Sequence, residues 1–182
     1  WLDVTTADIR VTEAALDEWL RKIADAQIVA VDTETTSLDP MLAQLVGISL
    51  SVEPGAAAYI PVAHRGPDVA GLENHGQLSR EYVLERMRGW LEDPTRPKLG
   101  QHLKYDSHVF ANHGVALRGI AHDTMLESYV LASYRNHGMD SLAERLLSLK
   151  TITYEEVCGK GANQIGFDQI DLPRATEYAA ED

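Results

Sequence analysis

The chain has 182 residues, 45% hydrophobic and 24% charged, which is enough for one domain with a substantial core. Its formal charge of −12 speaks against a general nucleic-acid-binding surface, which is ordinarily basic, but is compatible with clustered acids that meet phosphate through cations. The single cysteine, Cys158, excludes a disulfide framework or a thiolate metal cluster and suits a reducing cytoplasm, and no apolar run approaches the roughly 18 residues of a membrane span.

The opening Trp1-Leu2-Asp3 has neither a basic, apolar leader nor an initial Met, so residues 1–182 are expected to be one domain excised from a longer chain. Ala15, Leu16, Trp19, Leu20 and Ile23 recur at helical spacing and predict a helix over 12–23. Residues 28–34 read as a strand, and 44–52 and 56–62 as two more joined by the turn Glu53-Pro54-Gly55. A helix is expected over 79–91 with Ser79 as N-cap, then a short strand at 97–100 and a helix through 105–112 that stops near Gly114. Helical periodicity returns at 123–134 and 140–149, whereas 151–167 reads as irregular, and Pro173 suits the first turn of a last helix running to Asp182. Early strands with helices between them predict an α/β layer fold on a mixed sheet.

The strand IVAVDTET begins as four apolar residues and ends with Asp32 and Glu34, whose side chains share one face. At an effective dielectric of ~20, two like charges ~4 Å apart repel by about 4 kcal/mol, so a buried pair requires a compensating cation or proton. The other reading is a strand that emerges into solvent with both acids hydrated. Asp106, in QHLKYDS, falls in the first turn of a helix, where the macrodipole alone favours an acid. Tyr178 and Asp182 stand four apart on one helix face, a spacing common on plain surfaces. The glycines around Lys160 lack the setting of a phosphate loop, and the seven histidines include no H-x-x-x-H pair, which gives a zinc site little support.

Taken in order, VDTETTSL, QHLKYD and RATEYAAED resemble the three motifs of the 3′–5′ proofreading exonuclease domain of bacterial DNA polymerase I, of the group with four acids and a tyrosine. AHDTMLESYVL, GMDSLAERLL and TITYEEVCGKGANQ extend the resemblance over nearly all of the chain after residue 25. It implies a ribonuclease H-like fold, a mixed five-stranded sheet flanked by helices. It implies two divalent cations, Mg²⁺ or Mn²⁺, held by Asp32, Glu34, Asp106 and Asp182, with Tyr178 orienting the attacking water. Thr35, Leu38, Gln101, His102, Lys104, Tyr105 and Tyr154 match positions that contact the substrate strand.

The implied substrate is a single-stranded or frayed DNA 3′ end, the implied partner a polymerase domain of the same chain, and the implied location the bacterial cytoplasm, at the nucleoid. An RNA-trimming enzyme of the ribonuclease D type and a catalytically weak or inactive exonuclease-like scaffold domain are the alternatives. The sequence departs from the family where His102 replaces the common Asn, Thr36 a frequent acid and Asn136 a basic residue beside Arg135. Asp182 lies on the terminal helical turn, which implies weakened metal occupancy, and the acidity implies weak DNA affinity for the isolated domain.

Overall fold

Strand β1 (Asp8–Ile9) precedes α1 (Glu13–Asp25), which opens where the Thr12 hydroxyl accepts a hydrogen bond from the Ala15 amide (3.3 Å). Leu16, Trp19 and Ile23, on one stripe of α1, are buried. In this computed structural model, which describes residues 8–9, 12–68, 70 and 76–181, β2 (Val29–Thr35), β3 (Leu45–Glu53) and β4 (Ala56–Pro61) form an antiparallel meander. The turn between β3 and β4 puts Gly55 at φ 83°, a conformation that costs glycine nothing. Helix α2 (Arg80–Leu91) starts at Ser79, whose Oγ accepts from the Tyr82 amide at 3.2 Å. Next come β5 (Lys98–Gly100), α3 (Leu103–Asn112), β6 (Ile120–Asp123), α4 (Thr124–Ala132), α5 (Met139–Leu142), α6 (Tyr154–Cys158) and α7 (Leu172–Glu181).

Among the described residues the sheet runs β1-β4-β3-β2-β5-β6. Its β2–β3–β4 pairs are antiparallel, while β1/β4, β2/β5 and β5/β6 are parallel. The expected mixed five-stranded sheet is therefore present, with the two-residue β1 added at one edge. Alternation along the strands gives the sheet two covered faces. Val29, Val31, Ile48 and Leu50 meet the buried residues of α1, α2 and α3, including Trp19, Met87 and Phe110. Tyr59 faces the other side, in a smaller cluster with Cys158, Phe167, Ile170, Ala175 and Ala179, and α7 packs there against β3 and β4.

A bulge between Glu34 and Thr35 joins Glu34 to Gly47 but Thr35 to Leu45, leaving Val46 as the extra residue of β3. Val46 belongs to the α7-side cluster, although its neighbours Leu45 and Ile48 belong to the opposite one.

Three stretches differ from expectation. Residues 120–123 form β6, and the helix read from 123 starts after Asp123 as its N-cap. The helix read over 140–149 divides into α5 and a π-helical turn at Ala143–Leu147, which ends where Ser148 takes φ 56°. The stretch read as irregular contains α6, begun by a reciprocal cap in which a Glu156 carboxylate oxygen accepts from the Thr153 amide and hydroxyl, both at 2.8 Å. The last helix is described as far as Glu181, so Asp182 lies outside the described residues.

Candidate active site

Asp32 and Glu34 project from the end of β2 toward the α7 side of the sheet. Asp32, Ser49 and Tyr59 form one cross-strand row, so their side chains share a face. Asp32 is half-buried and Glu34 only 7% exposed, which sets aside the reading of two fully hydrated acids. Beside Glu34 in the next row is Gly47, and a Cβ there would lie under 3.0 Å from the ring and hydroxyl of Tyr59. The missing side chain thus lets the Tyr59 ring lie across the sheet toward Glu34. Burial, then the charges of Glu34 and Asp32, raise the Tyr59 phenol well above its ordinary pKa. Its oxygen is 2.6 Å from Nε2 of His64, a ring that burial depresses to about 4 against the opposing pull of the Ile170 carbonyl, Asp68 and Asp168.

Asp106 arrives from the opposite edge of β2. The Val29 amide donates to the Pro97 carbonyl at 3.2 Å, but β5 pairs with β2 only at Val29 and Ala30. Backbone amides of the same parity further along β2 therefore need another partner, and at Thr33 that partner is Asp106. Oδ1 of Asp106 accepts from the Thr33 amide at 3.1 Å and from the Thr33 hydroxyl at 2.6 Å. Asp106 is 1% exposed, and burial pushes its carboxyl up to about 6 despite the Thr33 donors, with the charge of Asp123 adding to the rise. The third acid is thus bound to the residue between the first two.

Asp123 fixes where α3 begins. Its Oδ1 accepts from the amides of His102 (3.2 Å), Met125 (3.1 Å) and Leu126 (3.1 Å), and its Oδ2 from Leu103 (2.9 Å). One carboxylate therefore caps α4 and ties down the first amides of α3, the helix that carries Asp106 and Tyr105. Thr33, Tyr59 and Asp123 all escaped the sequence reading. For Asp123 the signal was present, an Asp directly before an apolar helical run; for the other two it is a contact across the fold.

The remaining sequence-predicted residues divide by their partners. The Tyr105 hydroxyl donates to the Ser37 carbonyl and lies against the Thr35 hydroxyl, each at 2.5 Å, so this pair anchors the loop carrying Leu38, which is 94% exposed. Burial first, then the charges of Asp106, Asp32 and Glu34, raise the Tyr105 phenol, which places that ring in the field of all three acids. Gln101 donates to the His137 carbonyl (2.8 Å) and accepts from the Thr124 hydroxyl. His102 and Lys104 are exposed, and His102 takes φ 62°, a backbone state in which Asn and Gly are the easier occupants. Tyr178, on α7, meets Phe167 (ring centroids 5.6 Å apart) and Tyr154 of α6 (6.5 Å, edge-on). The Tyr154 phenol is raised by burial, then by Cys158 and by the charges of Glu34 and Asp168.

Carboxylate oxygens are the donors that hard divalent cations prefer, so the chemistry of the set fits Mg²⁺ or Mn²⁺. Among the described residues no three His, Cys, Asp or Glu side chains are grouped to hold an ion, and the fourth acid, Asp182, is not among them.

A family model described as 3′–5′ exonuclease matches residues 9–182. DNA polymerase I of Pseudomonas aeruginosa is 49% identical over 96% of this chain and 19% of its own length, and that of Rhizobium leguminosarum 41% identical over 92% and 18%. The chain thus spans under a fifth of these relatives. The crystal structure of Escherichia coli RNase D, described as an exoribonuclease involved in structured RNA processing, has a TM-score of 0.67 at 20% identity over 98% of this chain and 41% of its own, a likeness of fold that fits the ribonuclease H-like expectation. The chain belongs to the 3′–5′ exonuclease family, and over nearly its whole length it is similar to one segment of bacterial DNA polymerase I.

Proposed function

We propose that the domain spans residues 1–182 and hydrolyses single-stranded or frayed DNA from its 3′ end, releasing 5′-mononucleotides, and that it proofreads for the polymerase part of a longer chain. The observation that carries this reading is the bonding of buried Asp106 to Thr33, the residue between the two acids at the end of β2. Asp32, Glu34, Asp106 and Asp182 would hold two divalent cations, Mg²⁺ or Mn²⁺. When bound, such a pair supplies an activated water and Lewis-acid stabilisation of the leaving oxygen.

The chain's own side chains bind and orient. Tyr178 directs the attacking water by hydrogen bonding from its phenol. Leu38, exposed on a loop anchored by Tyr105 and Thr35, wedges beside the terminal base. Tyr154 offers a ring for stacking, worth about 1–3 kcal/mol per base. Gln101, His102 and Lys104, around the start of α3, contact the strand and its phosphates, with Gln101 set in place by His137 and Thr124. No described helix is long and apolar enough to cross a membrane, and the cytoplasm, at the nucleoid, is the location this reading assigns.

The likeness to RNase D supports a second reading, an RNA-trimming activity. The test is hydrolysis of end-labelled single-stranded DNA and of RNA of the same sequence, with and without Mg²⁺ or Mn²⁺, beside Asp32→Ala. Metal-dependent release of mononucleotides from DNA, lost in Asp32→Ala, is expected. Preferential cleavage of RNA would transfer the assignment to the second reading, and activity retained by Asp32→Ala would end both.

A further inference from the structure

Thr33 is the middle residue of the Asp32-x-Glu34 motif, and alternation turns its side chain to the face opposite the acids. On that face Val29 and Val31 are apolar and each 1% exposed, and packing alone would call for another valine. The residue is a threonine, 6% exposed, whose hydroxyl donates to Asp106 Oδ1 at 2.6 Å while its amide reaches the same oxygen at 3.1 Å.

A terminal carboxylate torsion is soft, so an aspartate held only by its own helix presents either oxygen over a broad arc. Two donors on one oxygen remove that freedom. They come from different directions, the amide in the plane of the sheet and the hydroxyl from the face opposite the acids. The burial of Asp106 makes these bonds matter, because a buried carboxylate that loses a donor has no water to replace it.

We propose that Thr33 is a positioning residue for Asp106: its hydroxyl locks Oδ1, so that Asp106 engages a divalent cation through Oδ2 alone. The inference rests on the proposed metal-dependent reading of the site. It assigns the middle position of the motif a task that a valine of the same shape cannot perform. Serine retains the hydroxyl and loses only a methyl group.

The test is Mn²⁺ titration of the 182-residue protein followed by electron paramagnetic resonance, on wild type, Thr33→Val, Thr33→Ser and Asp32→Ala, with thermal unfolding of each. Thr33→Val is expected to fold as wild type does but to bind Mn²⁺ roughly tenfold more weakly, the loss typical when an outer partner of a metal ligand is removed. Thr33→Ser restores the affinity. On an oligonucleotide, Thr33→Val lowers kcat and leaves KM unchanged, since the strand is held by other residues. Equal Mn²⁺ affinity in wild type and Thr33→Val overturns the inference alone. Equal impairment of the Val and Ser variants overturns it too, by assigning the effect to packing. A wild type that binds no Mn²⁺, or an Asp32→Ala variant that binds it undiminished, refutes the site reading and this inference with it.

Discussion

Replacing Asp123 by alanine removes one carboxylate and four hydrogen bonds, two at the start of α3 and two at the start of α4. Loss of an N-cap costs about 1 kcal/mol. The Leu103 amide lies in buried surroundings, and a buried donor left without an acceptor costs about 1–3 kcal/mol more. Together these give about 3 kcal/mol, or roughly 6–12 °C in the unfolding midpoint of a domain this size. Asp123→Asn separates the two helices. A single amide oxygen in the place of Oδ1 keeps the cap on α4, but the new NH₂ group then faces the Leu103 amide, donor against donor. The Asn variant should therefore lose hydrogen-exchange protection at Leu103 and keep it at Leu126, whereas Ala loses both. Denaturant titration measures the total. A loss below about 1 kcal/mol for Asp123→Ala, or equal exchange at the two amides in Asp123→Asn, would refute the claim that one side chain ties both helices.

Gly47→Ala forces a methyl group into the Tyr59 ring and should cost about 1–3 kcal/mol as overpacking, read by denaturant titration; a change within about 0.5 kcal/mol contradicts the close approach. His64 has a folded pKa of about 4 against an ordinary 6.5, so its contribution is complete above pH 6.5 and is lost as pH falls from there to 4, by about 3 kcal/mol in all. Asp106, raised to about 6, works in the opposite sense, gaining stability as pH falls through 6, so the His64 contribution is read as the difference between wild type and His64→Phe. Identical pH profiles for the two proteins would remove His64 from the account. At His102, φ 62° predicts that Gly is more stable than Val by at least about 1–2 kcal/mol in thermal unfolding, and equal midpoints would argue against the left-handed backbone.

Local signals carried most of the fold into the sequence. Thr12 and Ser79 precede their helices as caps, and the strand read over 28–34 is found at Val29–Thr35. Strand β6 was illegible because it is an edge strand with Ile120, Ala121 and His122 exposed, so no alternation marks it, and its one buried side chain, Asp123, is polar. The helix expected over 140–149 passes into a π-helical turn after Leu142 and stops at Ser148 in the left-handed region, and neither change is announced by helical periodicity or by a Ser. Periodicity around 123–134 located α4 but not its cover: Val130, Leu131 and Tyr134 are 82–87% exposed.

At the candidate site, the shared face of Asp32 and Glu34 follows from strand alternation alone. The hold of Thr33 on Asp106 spans 73 positions, and the lean of Tyr59 into the space over Gly47 needs the register of β3 against β4, so neither follows from spacing.

Anomalous diffraction from crystals soaked in Mn²⁺ would locate any bound ion directly. The account predicts a peak within coordination distance of the Asp32 and Glu34 carboxylates, absent from Asp32→Ala crystals treated alike. A soaked wild-type crystal with no peak there, or with an undiminished peak in Asp32→Ala, would contradict it.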